Sequence, residues 1–346
     1  MPLRAILDGQ QIQAFDLAPN DWNTLKETYK KGSLVMPCCP RNAIPKTSKL
    51  GVQHFAHSRR GECTSAPETE DHLLLKSCIA TAAQRAGWEV TTEHSGSTPA
   101  GEQWIADVYC SKGTAKVAIE VQWTPQVHDE YVRRTYKYTE SGVRCVWLFR
   151  LTGSGHYHLA DFPQSRELPY FGIRKSNGDY LVSQYDTPIS DFVAGLLSGH
   201  VTWHPKPNET LTMRANHVEV DCWRCHKTTC MVTDIEAVSA SNVVISRLPF
   251  TDKRAATWIA AHFDKVSLSQ NGIGTICSRY SKTFGGNYIS NGCVHCDALQ
   301  GDFFLPNPFE CDPVNGAITT SWVYDKSELE LAGGWFLDGA SSKWSF

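Results

Sequence analysis

The stretch Ala115-Lys-Val-Ala-Ile-Glu-Val-Gln122 decides how this chain is read. It has the alternation of a β-strand. A period of two puts Glu120 and Gln122 on one face and turns Val117, Ile119 and Val121 to the other. A carboxylate set between Ile and Val on a buried strand needs a partner, because an unpaired buried charge is costly. Just upstream, Gln103–Cys110 reads as another strand, joined to Thr114–Trp123 by the short connection Ser111-Lys-Gly113, which suits a hairpin. Asp107 on that strand can approach Glu120 at the same end of a sheet. Two convergent carboxylates form a hard oxygen site suited to Mg²⁺, and a cation there can stabilise charge on a phosphate and activate a water. The same spacing also fits a sheet whose polar face is simply solvated.

Further upstream, Ser65 with Glu68 fits a capping box and Pro67 suits a first turn, so a helix is expected from about residue 67. Leu74, Leu75, Cys78, Ile79, Ala82 and Ala86 make its apolar stripe, and Gly87 is placed to end it. Trp88–His94 reads as the first strand. Downstream, Pro125 breaks the pattern, Val127–Ser141 reads as a second helix closed by Gly142, and Val143–Arg150 as a fourth strand. The order is helix, three strands, helix, strand.

Asp107 followed by Glu120-Val-Gln122 resembles the Asp…(D/E)xK motif of the PD-(D/E)xK nucleases, whose shared core has this element order. More narrowly, about residues 35–150 resemble the competence protein CoiA-like family. The matching pieces are His54-Phe-Ala-His57, Glu70-Asp-His-Leu-Leu-Leu-Lys76, Asp107-Val108, Ala118-Ile-Glu-Val-Gln122, Arg134-Thr-Tyr-Lys-Tyr138 and Val146-Trp-Leu148. The resemblance implies a restriction-endonuclease-like α/β core (αβββαβ) over residues 67–152. It implies a Mg²⁺- or Mn²⁺-dependent deoxyribonuclease acting on DNA, with Asp107 and Glu120 binding the metal. DNA is preferred to RNA on the resemblance alone, since no residue here reads a 2′-hydroxyl.

Gln122 departs from the pattern, for most of the superfamily has Lys there. Gln can orient a water or a phosphate oxygen but brings no charge. Lys76 is the candidate cation from elsewhere, sharing a helix flank with His72 at i, i+4 spacing. Glu70 resembles the helix carboxylate that joins many such sites. For Glu70, His72 and Lys76 the alternative is ordinary flanking polar residues. The rival to an enzyme is a nucleic-acid-binding accessory protein with a degenerate nuclease fold, serving DNA uptake, recombination or phage defence.

The rest of the chain sets limits. Its 346 residues suffice for two or three domains, and 41% hydrophobic with 20% charged residues exclude wholesale disorder. A formal net charge of −3 confines phosphate contact to local patches such as Arg41, Lys46, Lys49, Arg59 and Arg60, for which a solvated basic loop is the alternative. No apolar run is long enough to span a membrane, and the N-terminus lacks the charged head and apolar core of a signal peptide. The expected compartment is the cytoplasm, where thirteen cysteines favour reduced thiolates and zinc over disulfides. Cys222-Trp-Arg-Cys225 and Cys293-Val-His-Cys296 together suit one tetrahedral Cys₄ zinc site, with Cys230 or Cys277 as substitutes. Residues 226–292 between them exceed zinc-ribbon spacing and imply an inserted lobe. Cys39, His54, His57 and Cys63 could close a second zinc site, although the adjacent Cys38 and Cys39 depart from a CxxC knuckle; histidines in an ordinary core are the alternative. The expected organisation is an N-terminal β-rich Cys/His segment (1–66), the core (67–152), an irregular linking segment (153–217), a zinc lobe (218–300) and a C-terminal extension (301–346).

Overall fold

The computed structural model describes residues 2–31, 33–39, 41–58, 68–124, 126–151, 165–301 and 316–338. They form two compact units, one reaching Thr202 and the other running from Trp203 to Asp338.

The first unit opens with β1 (Arg4–Leu7), β2 (Gln10–Gln13), α1 (Pro19–Thr28) and β3 (Leu34–Val35), followed by the hairpin of β4 (Ala43–Thr47) and β5 (Gln53–His57). The first three strands form a sheet in the order β2-β1-β3. Trp22, Leu25, Leu34, Met36, Ala43 and Phe55 bury one another at its centre. α1 is missing from the sequence reading because only Trp22 and Leu25 face inward, too few positions to mark a helical period.

Then come α2 (Glu70–Arg85), β6 (Glu89–Ser97), β7 (Gln103–Lys112), β8 (Ala115–Gln122), α3 (His128–Glu140) and β9 (Arg144–Arg150), in the expected order. The hairpin turn falls at Gly113-Thr114 rather than at Ser111-Lys-Gly113, with Lys112 paired to Ala115 and Gly113 at φ +58°. β8 and β9 run parallel, so α3 is the crossover that such a pair requires. α2 does not start at the expected box. Thr69 is its N-cap, accepting from His72 N at 3.2 Å, a bond worth about 1 kcal/mol, while Ser65 and Pro67 lie outside the described residues. Its buried arc is also wider than the expected stripe, taking in Leu73, Lys76, Ala80 and Ala83 as well as Leu75, Ile79 and Ala82.

The width has a cause in the segment 153–217, which is not the irregular linker expected. β10 (Tyr170–Ser176), β11 (Asp179–Val182) and β12 (Thr187–Pro188) extend the sheet to seven strands, in the order β12-β11-β10-β9-β8-β7-β6. α4 (Ile189–Leu197) then packs against α2, which is covered on two sides. β10 lies parallel to β9 and is buried on both faces at Tyr170-Phe-Gly-Ile173. Such strands read as continuous apolar runs and lose the alternation that would reveal them.

β13 (Val201–His204) leads into the second unit. There follow β14 (Thr210–Asp221), β15 (Thr228–Val238), β16 (Val244–Pro249), α5 (Lys253–His262), α6 (Lys265–Gln270), β17 (Cys277–Ser281), β18 (Gly286–Gly292), β19 (Leu299–Gln300), β20 (Gly316–Val323) and β21 (Gly334–Leu337). One sheet has the order β16-β15-β14-β20 and another β17-β18-β19. Met213, Val232, Ile235, Trp258, Ile259 and Ile318 bury together. The unit is therefore wider than 218–300, since β20 pairs along the length of β14. No helix among the described residues is long and apolar enough to cross a membrane.

Candidate active site and metal centres

The β7–β8 ladder runs to Val108 opposite Ile119. At the next register position stand Asp107 and Glu120, and there a side chain replaces the ladder: Val121 N donates to Asp107 Oδ2 at 2.9 Å. On the neighbouring strand Glu93 has φ +47°, left-handed backbone that costs a non-glycine residue about 1–2 kcal/mol. The strain sits where the β6–β7 pairs Thr92–Val108 and His94–Ala106 flank it.

Toward α2, Asp107 meets His72 Nε2 at 3.4 Å and Lys76 Nζ at 3.8 Å. Lys76 is 0% exposed, and its ammonium also bonds Glu68 Oε1 at 2.8 Å and pairs with Glu93. Burial alone would lower the pKa of Lys76, but the surrounding Glu93, Glu68 and Asp107 carboxylates outweigh it and raise the pKa above the usual lysine value. Burial likewise pushes Asp107 upward, yet His72, Lys76 and the Val121 N–H together hold it below the usual range, so Asp107 is ionised at neutral pH.

Toward α3 the chemistry differs. Glu120 is 2% exposed, and both its oxygens are engaged, Oε2 by Arg134 Nη2 at 2.5 Å and Oε1 by the Tyr138 hydroxyl. Arg134 and Tyr138 are one turn apart on α3. Burial and the nearby Asp107 charge push Glu120 up to about 7, against the pull of Arg134 and Tyr138. Arg134 also donates to Gln122 Oε1 at 3.4 Å and lies over the Trp147 ring at 4.6 Å, yet its side chain stays 29% exposed. Gln122 turns its amide to Thr124 O at 2.8 Å.

Asp107 and Glu120 lie near enough for the charge of one to act on the other, as expected, but both Glu120 oxygens are given to Arg134 and Tyr138. Among the described residues, the carboxylate-bearing group whose ligand atoms lie mutually within 4.8 Å is Glu68, His72 and Asp107. Glu70, expected as the helix carboxylate, instead accepts from Lys49 N at 3.5 Å, and Glu68 stands nearer the site. Lys76 is central but enclosed. Glu68, Glu93, Arg134 and Tyr138 join the site beyond the residues that the sequence marks for it. The i, i+4 spacing of Arg134 and Tyr138 offered a signal; Glu93, displaced from strand alternation by its backbone, offered none.

In the second unit the two CxxC motifs fold into matching knuckles. His226 N donates to Cys222 O and Asp297 N to Cys293 O, each at 2.9 Å, and His226 and Asp297 both take left-handed φ. Arg224 N and His295 N each donate to the first thiol of their knuckle at 3.4 Å. The four sulfurs lie within 4.8 Å of one another, with Cys222–Cys296 and Cys225–Cys293 at 3.7 Å. This Cys cluster could hold a metal ion, and four thiolates suit tetrahedral zinc. Cys230 and Cys277 stand outside it, on β15 and β17.

At the N-terminal candidate, Cys38, Cys39 and His57 converge, with Cys38 Sγ 3.5 Å from His57 Nε2. Both adjacent cysteines therefore belong to the group that could hold an ion, Cys38 in addition to the expected Cys39. His54 is buried and faces Val52 O at 3.2 Å, which removes it from the group, because on β5 it points away from His57. Cys63 lies outside the described residues.

Residues 68–179 match the family model described as competence protein CoiA, nuclease-like domain. The match runs from Glu68 through α2, β6–β9, α3 and β10 to the first residue of β11. No curated protein matches the chain.

Proposed function

We propose that residues 67–152 form a PD-(D/E)xK nuclease core that hydrolyses phosphodiester bonds of DNA with Mg²⁺ or Mn²⁺, while structural zinc holds the Cys₄ cluster. The observation that carries this reading is the convergence of Asp107, Glu68 and His72 at the end of the β7–β8 ladder. The donor set fits a divalent cation: two carboxylates and an imidazole converge, and beside them Glu93 Oε2 is buried with no hydrogen-bond partner among the described residues. The nitrogen of His72 makes Mn²⁺ at least as good an occupant as Mg²⁺, which prefers oxygen. Such a cation supplies stabilisation of charge developing on the phosphate and lowers the pKa of an attacking water.

The chain's own residues do the rest. Asp107 stays ionised and is aimed by the Val121 N–H. Lys76 neutralises part of the acidic group and fixes Glu68 and Glu93. Glu120, the second carboxylate of the motif, anchors Arg134. Arg134 replaces the positive charge missing at Gln122, because its guanidinium is partly exposed where Lys76 is enclosed. A guanidinium also matches phosphate oxygens in two-point geometry. Incubation with plasmid and linear DNA should give cleavage with Mg²⁺ or Mn²⁺ and none with EDTA. Arg134→Ala should cost cleavage about 10²–10³-fold, the scale of losing a positioned donor. Gln122→Ala should cost less, since Gln122 only steadies Arg134. The reverse order would place the charge elsewhere.

One observation favours the binding-protein alternative: both Glu120 oxygens are already taken by Arg134 and Tyr138. An accessory protein of DNA uptake, recombination or phage defence would bind DNA and leave it intact in every metal.

A further inference from the structure

The β17–β18 hairpin carries side chains that neither the carboxylate site nor the Cys₄ cluster uses. Between Asp264 and Asp297 the sequence has no acidic residue, and this hairpin lies within that run. Tyr280 is 65% exposed and Phe284 70%, with Lys282 exposed between them. The same unit buries Trp258 and Trp322 and leaves Trp223 open at the first knuckle, so the hairpin, with two rings in water on one short turn, is the denser of the unit's exposed aromatic spots among the described residues.

The two rings occupy opposite faces. Arg279 pairs across the strands with Tyr288, and Tyr280 with Asn287. Phe284 meets Tyr288 edge-on at 5.5 Å, on the face away from Tyr280. The tip is preorganised: Gly285, at φ +73°, donates to Ser281 O at 2.9 Å, and Phe284 N to Ser281 Oγ at 3.2 Å. Its base is braced by Arg279, which donates to Ser290 O and Thr275 O at 2.9 Å and pairs with Asp297. Arg279 is thus spent on structure, and Lys282 is the cation that the tip presents.

We propose that this hairpin binds unpaired nucleotides of a nucleic-acid strand, with Tyr280 and Phe284 stacking on bases and Lys282 facing a phosphate. Aromatic faces stack on any base, and a nearby cation supplies the complementary charge. A duplex offers no open base faces, so unpaired strand is the occupant these residues fit. The proposal rests on the nuclease reading only for the class of ligand.

Fluorescence anisotropy on the full chain tests it, using a labelled oligothymidine of about 16 nucleotides and a blunt duplex of equal length, without added divalent cation. The Tyr280→Ala/Phe284→Ala double variant should lose about 30-fold in affinity for the single strand, with zinc content and melting unchanged. Tyr280→Trp should retain binding, and Lys282→Ala should flatten the salt dependence by roughly one phosphate's worth. Wild-type affinity from the double variant would overturn the proposal. So would equal losses on single strand and duplex, or a change in sedimentation in place of a change in binding. Cleavage by the wild-type protein is measured separately, so failure of the nuclease reading and failure of this one stay distinguishable.

Discussion

Asp107→Asn should reduce metal-dependent DNA cleavage on the order of 10³-fold, the upper end for removing one positioned group, while the protein stays folded. Asparagine keeps the shape and an oxygen to accept the Val121 N–H, so the turn of the ladder survives. It removes the negative charge that His72 and Lys76 face, and turns one of the two carboxylate oxygens of the Glu68–His72–Asp107 group into an amide nitrogen that cannot ligate a cation. Lys76 retains Glu68 and Glu93, which limits the structural damage. Because the folded pKa of Asp107 is depressed, its contribution to stability is complete above its ordinary value of 3.8 and disappears as pH falls toward about 2. The variant should therefore show a flatter acid limb in thermal melts over that window. Cleavage at the wild-type rate by Asp107→Asn protein, assayed on plasmid with Mn²⁺, would sink the nuclease reading.

Cys293→Ser should remove zinc and unfold the second unit at markedly lower temperature. The four sulfurs come from two knuckles far apart in sequence, and nothing but a shared ion makes four thiolates favourable neighbours. Structural zinc contributes about 10–16 kcal/mol of apparent binding energy in small zinc domains; here a large core of Met213, Val232 and Trp258 shares the task, so partial rather than total unfolding is expected. Metal analysis should find at least one zinc per chain in the wild type and a deficit in the variant. The divalent-metal dependence of cleavage should not change. A variant that melts like the wild type, or wild-type protein with four freely reactive thiols and no zinc, would remove the Cys₄ assignment.

The central elements were legible because their signals are local. β8 alternates in sequence, although both its faces are buried from Val117 to Val121, α3 ends at Gly142, α2 ends at Gly87, and the two CxxC pairs declare themselves by spacing. What failed was non-local. β10 is apolar on both faces because β9 and β11 flank it, a fact of the sheet and not of the segment. Lys76 stands out in the sequence as a candidate cation, but its burial does not, since a lysine on a helix normally reaches water; it is buried because Glu68, Glu93 and Asp107 arrive from three other places in the chain. Glu93 gave no hint, its direction being set by one left-handed residue inside a strand. His54 and His57 looked equivalent in sequence, and strand alternation alone sends them apart.

The enclosed ammonium of Lys76 has a thermodynamic corollary. An acidic cavity that depended on an incoming cation for its neutrality would make folding and metal loading a single event, as in a zinc knuckle. Here the protein carries its own tethered counter-ion, which offsets the mutual repulsion of three carboxylates before any solute arrives. On the proposed reading of a divalent cation at Asp107, the scaffold should therefore persist when that cation leaves, losing only the binding energy itself. A chelator should consequently lower the melting of the first unit by no more than a weakly bound cation contributes, while it lowers that of the second unit markedly and unfolds it in part.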